Sequence, residues 1–188
     1  MKNPRSSCSP RDVPAVIETE HLRLLESDPA FAPQLAAAMQ ASTADLAFAS
    51  DWREAADPAV AERALMKSLE LADVDVVRHA FLRETGEYVS RLDLHGWDTD
   101  TPRCEIGYIA NSLMTGRGLV TEGCLAMMAA ARRMGVVRVQ AMCDPRNRAG
   151  IRMAERLGMQ REGVLRSYER DDAGVLTDLV VLSVVWSS

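Results

Sequence analysis

Apolar and polar positions follow two rhythms along this chain, and the rhythm changes where the elements change. Residues 16–25 read as a first strand, with Ile17, Leu22, Leu24 and Leu25 set among charged residues. Asp28-Pro29 then opens a helix: Asp28 suits the N-cap, Pro29 the first helical position, and Leu35 and Met39 share a face. Asp57-Pro58 repeats the signal for a second long helix through Leu65, Leu69 and Leu71, while residues 44–52 between them fit neither rhythm. After Asp75 a period of two takes over. Residues 76–83 and 88–95 read as strands joined by the turn Glu84-Thr85-Gly86, and residues 103–110 as the next strand of an antiparallel meander. On that last strand Cys104, Ile106 and Tyr108 fall on one face, and Glu105, Gly107 and Ile109 on the other.

The helical rhythm returns at Val120, Cys124, Met127, Met128, Ala131 and Met134, with Arg132 and Arg133 in the last turn and Gly135 as the stop. The methionines read as core. Residues 136–143 are a β-branched strand, joined to 103–110 through that helix, so the two strands are expected to be parallel with a right-handed crossover. Asp144-Pro145 ends the strand, and Asn147 caps a short helix bearing Ile151, Ala154 and Leu157 up to Gly158. Residues 159–168 form another strand, 171–174 a turn, and 176–186 a near-continuous apolar strand expected to be buried on both faces. The pattern describes one α/β (α+β) domain over residues 15–188, behind a flexible leader at 1–14.

A chain of 188 residues, 47% hydrophobic and 26% charged, suffices for one substantial core and sits at globular averages. Its net charge of −5 argues against a general nucleic-acid binder. Cys8, Cys104, Cys124 and Cys143 contain no Cys-x-x-Cys pair, and His21, His79 and His95 have no metal-like spacing, so no metal is expected. Residues 1–14 lack the apolar core of a signal peptide and no run approaches a membrane span, which points to a soluble cytoplasmic protein without a membrane partner.

The chemistry concentrates in Leu113 to Glu122, Leu-Met-Thr-Gly-Arg-Gly-Leu-Val-Thr-Glu. Gly116 and Gly118 remove two Cβ atoms where phosphates can approach the backbone, and the next N–H groups, Leu119 to Glu122, open a helix without intrahelical partners. The helix dipole adds partial positive charge there, so the turn suits an anion, most naturally a pyrophosphate. It is not a dinucleotide fingerprint, because position 121 is Thr where a third glycine is needed, and it lacks the Gly-Lys-Ser/Thr of a nucleoside-triphosphate loop.

Five stretches then follow in order: Glu-Ile-Gly-Tyr-Ile at 105–109, Gly-Arg-Gly-Leu-Val-Thr-Glu at 116–122, Asp-Pro-Arg-Asn-Arg-Ala at 144–149, Glu-Arg-Leu-Gly-Met at 155–159 and Glu-Gly-Val-Leu-Arg at 162–166. In this series, covering about residues 16–186, the chain resembles the Gcn5-related N-acetyltransferase (GNAT) family, in its RimJ/RimL-type ribosomal-protein N-acetyltransferase branch. One position departs from the family pattern: Leu113 stands where Gln or Arg is common. The resemblance implies a mixed, mainly antiparallel sheet of six to seven strands with a parallel splayed pair, flanked by about four helices.

The resemblance also implies acetyl-coenzyme A as co-substrate, with its pyrophosphate over Thr115, Gly116, Arg117, Gly118, Leu119, Val120 and Thr121, and its pantetheine arm between the splayed strands. An N–H near Ile109 or Ala110 would polarise the thioester carbonyl. Arg117 adds a charge-assisted contact or is a solvated loop residue; Asn147 reaches the cofactor or serves only as a cap. Glu105 is the candidate base for the acceptor amine, against a reading as a merely exposed charge. Tyr168 is the candidate acid for the leaving thiolate, against a packing or substrate-lining role. Tyr108 reads as core, His95 as an ordinary surface residue against a place lining the acceptor pocket, and Trp52 falls where the family builds its acceptor wall.

The function implied is acetyl transfer to a primary amine, either a protein N-terminus or a small molecule; a homodimer is compatible with it. The alternative is a catalytically silent acyl-coenzyme A sensor.

Overall fold

The computed structural model describes residues 9–49 and 52–187. One sheet of eight strands runs in the order β1-β2-β3-β4-β5-β6-β8-β7. Its strands are β1 (Val16–Glu18), β2 (Leu22–Leu25), β3 (Val76–Leu82), β4 (Tyr88–Asp98), β5 (Arg103–Ala110), β6 (Arg138–Cys143), β7 (Gln160–Arg170) and β8 (Leu176–Val185). The helices are α1 (Ala32–Ser42), α2 (Pro58–Glu70), α3 (Leu119–Arg133) and α4 (Arg148–Arg156). Every neighbouring pair is antiparallel except β5 and β6, which are parallel. The meander and the parallel pair expected from the periodicity are both present. Among the described residues no helix is long and apolar enough to cross a membrane.

The sheet has one strand more than the expected six to seven, because residues 16–25 are a hairpin and not a single strand. Thr19 N–H donates to the Leu22 carbonyl at 2.9 Å. Leu22 N–H returns the bond to Thr19 Oγ1, also at 2.9 Å. At the turn, His21 N–H and His21 Nδ1 each lie 2.9 Å from an oxygen of Glu122, in the first turn of α3. The turn closed by Thr19 and Leu22 is thus anchored by a carboxylate 101 residues away.

Two apolar layers sandwich the sheet. On one face Leu22, Leu24, Leu92, Leu94, Ile106, Val139 and Leu182 pack with Cys124, Met127 and Met128 of α3 and Met153 of α4. On the other, Phe81, Tyr88 and Ile109 pack with Leu35 and Met39 of α1 and Leu65 of α2. Both aspartate start signals work as read: Asp57 accepts from Ala59 N–H at 2.7 Å and Asp28 from Ala30 N–H at 2.8 Å. After Asp28 a single 3-10 turn, Pro29–Phe31, precedes α1.

Two regions differ from expectation. Of the leader, residues 1–8, Cys8 included, lie outside the described residues. Residues 9–14 are held: Pro10 and Val13 are buried, and the buried Arg78 guanidinium donates to the Val13 and Pro14 carbonyls at 3.1 and 2.8 Å. The last strand is buried only in its middle, with Leu176 50% and Val185 63% exposed. β6 pairs with β8 only over Val180–Val185, so the first half of β8 and the part of β7 after Val164 extend past the body of the sheet as a hairpin. Every residue of β7 is exposed.

Candidate active site

The parallel pair is a fork. β5 and β6 are in register only over Arg103–Glu105 and Arg138–Gln140. Beyond that point β5 continues to Ala110 along β4, and β6 continues to Cys143 along β8. The upper halves of the two strands are thus paired on their outer sides and open towards each other. Asn111 donates its N–H to the Val89 carbonyl at 2.9 Å. Because bonding direction alternates along an antiparallel strand, Ile109 directs its N–H to β4, whereas Ala110 turns its backbone groups away from it. The Ala110 carbonyl, facing outwards, accepts from Ser42 Oγ of α1 at 3.2 Å. Of the two candidate backbone donors, Ala110 is the one that faces away from β4.

The glycine turn follows directly. Gly116 and Gly118 have φ of 76° and 77°, in the left-handed region that favours glycine, and a Cβ at either would meet nothing within 4 Å. Gly118 is the N-cap of α3 and offers no side-chain cap, so the N–H groups of the first turn point out of the helix end. Thr121 Oγ1 lies 3.3 Å from Met153 Sδ, which docks α4 beside the start of α3. The side-chain oxygen of Asn147 accepts from Gly150 N–H at 2.9 Å and caps α4. Arg117 is exposed, with its guanidinium 3.3 Å from Met114 Sδ. Leu113 is 74% exposed.

Glu105 stands at the apex of the fork, on the face covered by α1 and α2. It is not an exposed charge: its side chain is 17% exposed. Gln140 Nε2 donates to Glu105 Oε2 at 3.3 Å, and His95 Nε2 lies 3.5 Å from Glu105 Oε1. His95 Nδ1 is 2.7 Å from Asp93 Oδ2, and Arg91 forms an ion pair with the other Asp93 oxygen. A row Arg91–Asp93–His95–Glu105–Gln140 of alternating charge, ended by a neutral amide, therefore crosses three strands. The Asp93 hydrogen bond, followed by that of Glu105, pushes the His95 pKa up to about 10, so the ring is an imidazolium at neutral pH. Burial alone would raise Asp93; His95 and Arg91 overcome it and hold the group below the usual carboxylate range.

His95 is accordingly not the ordinary surface residue expected from its place at a strand end. β4 runs on to Asp98, which leaves His95 inside the sheet opposite Glu105. Sequence reading also passed over Arg91, Asp93 and Gln140. A signal was available: Arg91, Asp93 and His95 recur at a spacing of two within an otherwise apolar strand, which places all three on one face.

Next to this row, Trp52, Ala55, Val60, Ala64, Lys67, Leu71, Asp75, Val77 and Arg91 line a pocket of about 300 Å³ under α2. The Arg91 guanidinium lies 4.7 Å from the Trp52 ring centroid, a cation–π contact. Arg53, next to Trp52, pairs with Asp172 of the β7–β8 turn at 3.9 Å, and Arg146, after β6, pairs with Asp171 of the same turn at 3.3 Å. Tyr168 lies in β7 at an irregularity where Ser167 has φ of 50° and donates its N–H to Asp178 at 2.8 Å. Tyr168 is 55% exposed, and β6 and β8 stand between its strand and β5, so it is not brought against Glu105. Tyr108 packs on the α3 side, as expected of core, with its hydroxyl 3.4 Å from the Gly150 carbonyl. His21, His79 and His95 serve three separate clusters, and no group of three potential metal ligands occurs among the described residues.

Residues 21–160 match the family described as an acetyltransferase (GNAT) domain. The chain belongs to the GNAT family. An uncharacterised N-acetyltransferase, p20 of Bacillus licheniformis, is 28% identical over 105 residues, 55% of this chain and 58% of that protein, so the chain spans little more than half the length of the curated relative it matches. The microcin C7 self-immunity acetyltransferase MccE, solved with acetyl-CoA and AMP, superposes with a TM-score of 0.83 at 19% identity, over 93% of this chain and 98% of that one. RimL, a ribosomal L7/L12 α-N-protein acetyltransferase solved with coenzyme A, gives 0.80 at 19% identity, over 93% and 97%. The fold is thus shared along nearly the whole chain.

Proposed function

We propose that this GNAT chain is an N-acetyltransferase that moves the acetyl group of acetyl-coenzyme A directly to a primary amine, a protein N-terminus or a small molecule. The observation that carries the reading is the position of Glu105, a half-buried carboxylate where the parallel pair divides, on the strand that leads to an uncapped helix start preceded by two left-handed glycines. The residues present fit the co-substrate. The backbone of Thr115, Gly116, Arg117, Gly118, Leu119, Val120 and Thr121 supplies donors and positive dipole for a pyrophosphate, and Gly116 and Gly118 leave the approach open. The Arg117 guanidinium is exposed to add charge, and the amide nitrogen of Asn147 remains for a contact once its oxygen caps α4. Between the strands, the Ala110 N–H is the donor for the thioester oxygen, with Ile109 contributing packing at the same level.

Acetyl-coenzyme A supplies an acyl carbon with a thiolate leaving group. The chain supplies proton handling. Glu105 takes the proton that the acceptor amine must lose as its nitrogen bonds to the acyl carbon, relayed by water along the fork, since Ala110 lies five extended residues beyond Glu105. The carbon–sulfur bond breaks and the thiolate takes a proton; Tyr168 is the donor that the family resemblance offers, from an exposed position in β7 with β6 and β8 between it and β5. The RimJ/RimL-type fold supports a protein N-terminus as acceptor, since RimL is named for such a substrate.

Glu105→Gln tests the assignment. It is expected to lower kcat by about 10²- to 10⁴-fold, measured as coenzyme A release with a panel of peptides and small amines, while acetyl-coenzyme A affinity is unchanged. Full turnover in that variant removes Glu105 as base. Tyr168→Phe in the same assay lowers kcat with cofactor affinity intact; a rise in amine KM alone would reassign Tyr168 to the acceptor mouth. Tight acetyl-coenzyme A binding by the wild type without release for any amine would favour the silent sensor.

A further inference from the structure

We infer that His95 is a positioning residue for acetyl transfer: braced by Asp93, it holds the Glu105 carboxylate in place at the fork of β5 and β6. The inference rests on the reading of Glu105 as base.

A strand carboxylate by itself rotates about its side-chain bonds, and a general base must stay within hydrogen-bond reach of one proton. Displacement by about 1 Å can cost about 10²-fold in rate. Here each oxygen of Glu105 has its own donor: Gln140 on one at 3.3 Å, His95 on the other at 3.5 Å. One lone pair on each oxygen is left over for the amine or its water. His95 is fixed in turn by Asp93 at 2.7 Å, and Asp93 by Arg91.

The brace is built into the strand sequence. Gly107 faces Asp93 in the register, and a Cβ at Gly107 would stand 2.9 Å from both Asp93 oxygens. The space a side chain would use on β5 is taken by the carboxylate from β4. Asp93 is 8% exposed, a burial that is unfavourable for an unpaired charge and tolerable only with both cations in contact. The charged groups around the ring are Asp93 and Arg91 on β4, Glu105 on β5, and Asp75 at the start of β3. With both ring nitrogens directed at carboxylates, the imidazolium donates twice and has no lone pair, so His95 is not itself the base at neutral pH.

The test uses the full chain with His95→Leu, His95→Gln, Gly107→Ala and Glu105→Gln. Kinetics are followed with acetyl-coenzyme A and the amine that gives most coenzyme A release in a panel of free-N-terminus peptides and small primary amines. His95→Leu is expected to lose roughly 10²-fold in kcat, with amine KM and acetyl-coenzyme A affinity little changed. His95→Gln, which keeps a donor, recovers most of that loss. Gly107→Ala, which touches neither Glu105 nor His95, lowers kcat by displacing Asp93. Imidazole NMR titration of the wild type needs no acceptor: it should show His95 still protonated at pH 8. A ring that titrates near its ordinary value overturns the inference outright. A slow Glu105→Gln beside a fully active His95→Leu also overturns it, and leaves Glu105 as base. An active Glu105→Gln removes the base reading, and the inference falls with it.

Discussion

At the scale of single residues, the site consists of groups whose chemistry is local and groups whose chemistry is conferred by neighbours. Gly116 and Gly118 belong to the first kind. Their spacing before a helical rhythm pointed to a tight turn at a helix start, and both carry a left-handed φ there; anion binding by this turn is part of the proposed function. That conformation governs how the turn is best probed. A β-branched residue at Gly118 would strain the backbone, whereas Asn tolerates the left-handed region. Gly118→Asn is therefore expected to keep the fold and place a side chain in the open space before α3. Loss of one charge-assisted hydrogen bond is worth about 1.5–3 kcal/mol, so acetyl-coenzyme A affinity should fall roughly tenfold or more in calorimetric titration. Unchanged affinity would remove the turn from the cofactor site. His95 belongs to the second kind. Its identity and position were plain, but its charge and role come from Asp93 and Glu105, one of them on another strand.

At the scale of elements, the helix starts were legible because their signals are contained within three or four residues. Asp57 caps α2 through Ala59 N–H, and α2 roofs the pocket beside Arg91 and Trp52. Asp57→Ala should destabilise the protein by about 1 kcal/mol in denaturant unfolding, the usual cost of a lost N-cap. A loss below a few tenths would mean that packing of Ala61 and Leu65 alone holds the helix start. The strands were legible in kind and less so in extent. Residues 16–25 carry enough apolar positions for one strand; the turn that makes them two is closed by Thr19 and Leu22 and anchored by the Glu122 carboxylate. Leu176 to Trp186 is apolar enough for a core strand, yet half of β8 projects beyond β6, and nothing in its composition shows where the neighbour stops.

At the scale of the whole molecule, the two apolar layers also set a pH response. His79 is buried under α1, with Nε2 3.2 Å from Ser27 Oγ and Nδ1 3.0 Å from the Tyr88 hydroxyl. Burial first, then the charges of Arg91 and Arg78, push its pKa from 6.5 down to about 3. The stability tied to its neutral ring is fully present above pH 6.5 and declines as pH falls towards about 3. Over that window His79 should contribute a slope of about 1.4 kcal/mol per pH unit to unfolding free energy. His79→Gln is expected to flatten this acid limb in denaturant titrations at several pH values; an unchanged slope would show that carboxylates alone cause it. The sequence by itself determined the order and kind of the elements, the helix starts at Asp57 and Asn147, the glycine turn, and the two faces of β5. These depend on periodicity and on contacts a few residues apart. Only the tertiary structure decided that β5 and β6 part after Glu105, that a distant carboxylate anchors the β1–β2 turn, and that Arg91, Asp93, His95 and Gln140 meet around one carboxylate. Those outcomes depend on cross-strand register and on burial, which bring together groups from separate strands and set their charge only after the chain has closed on itself.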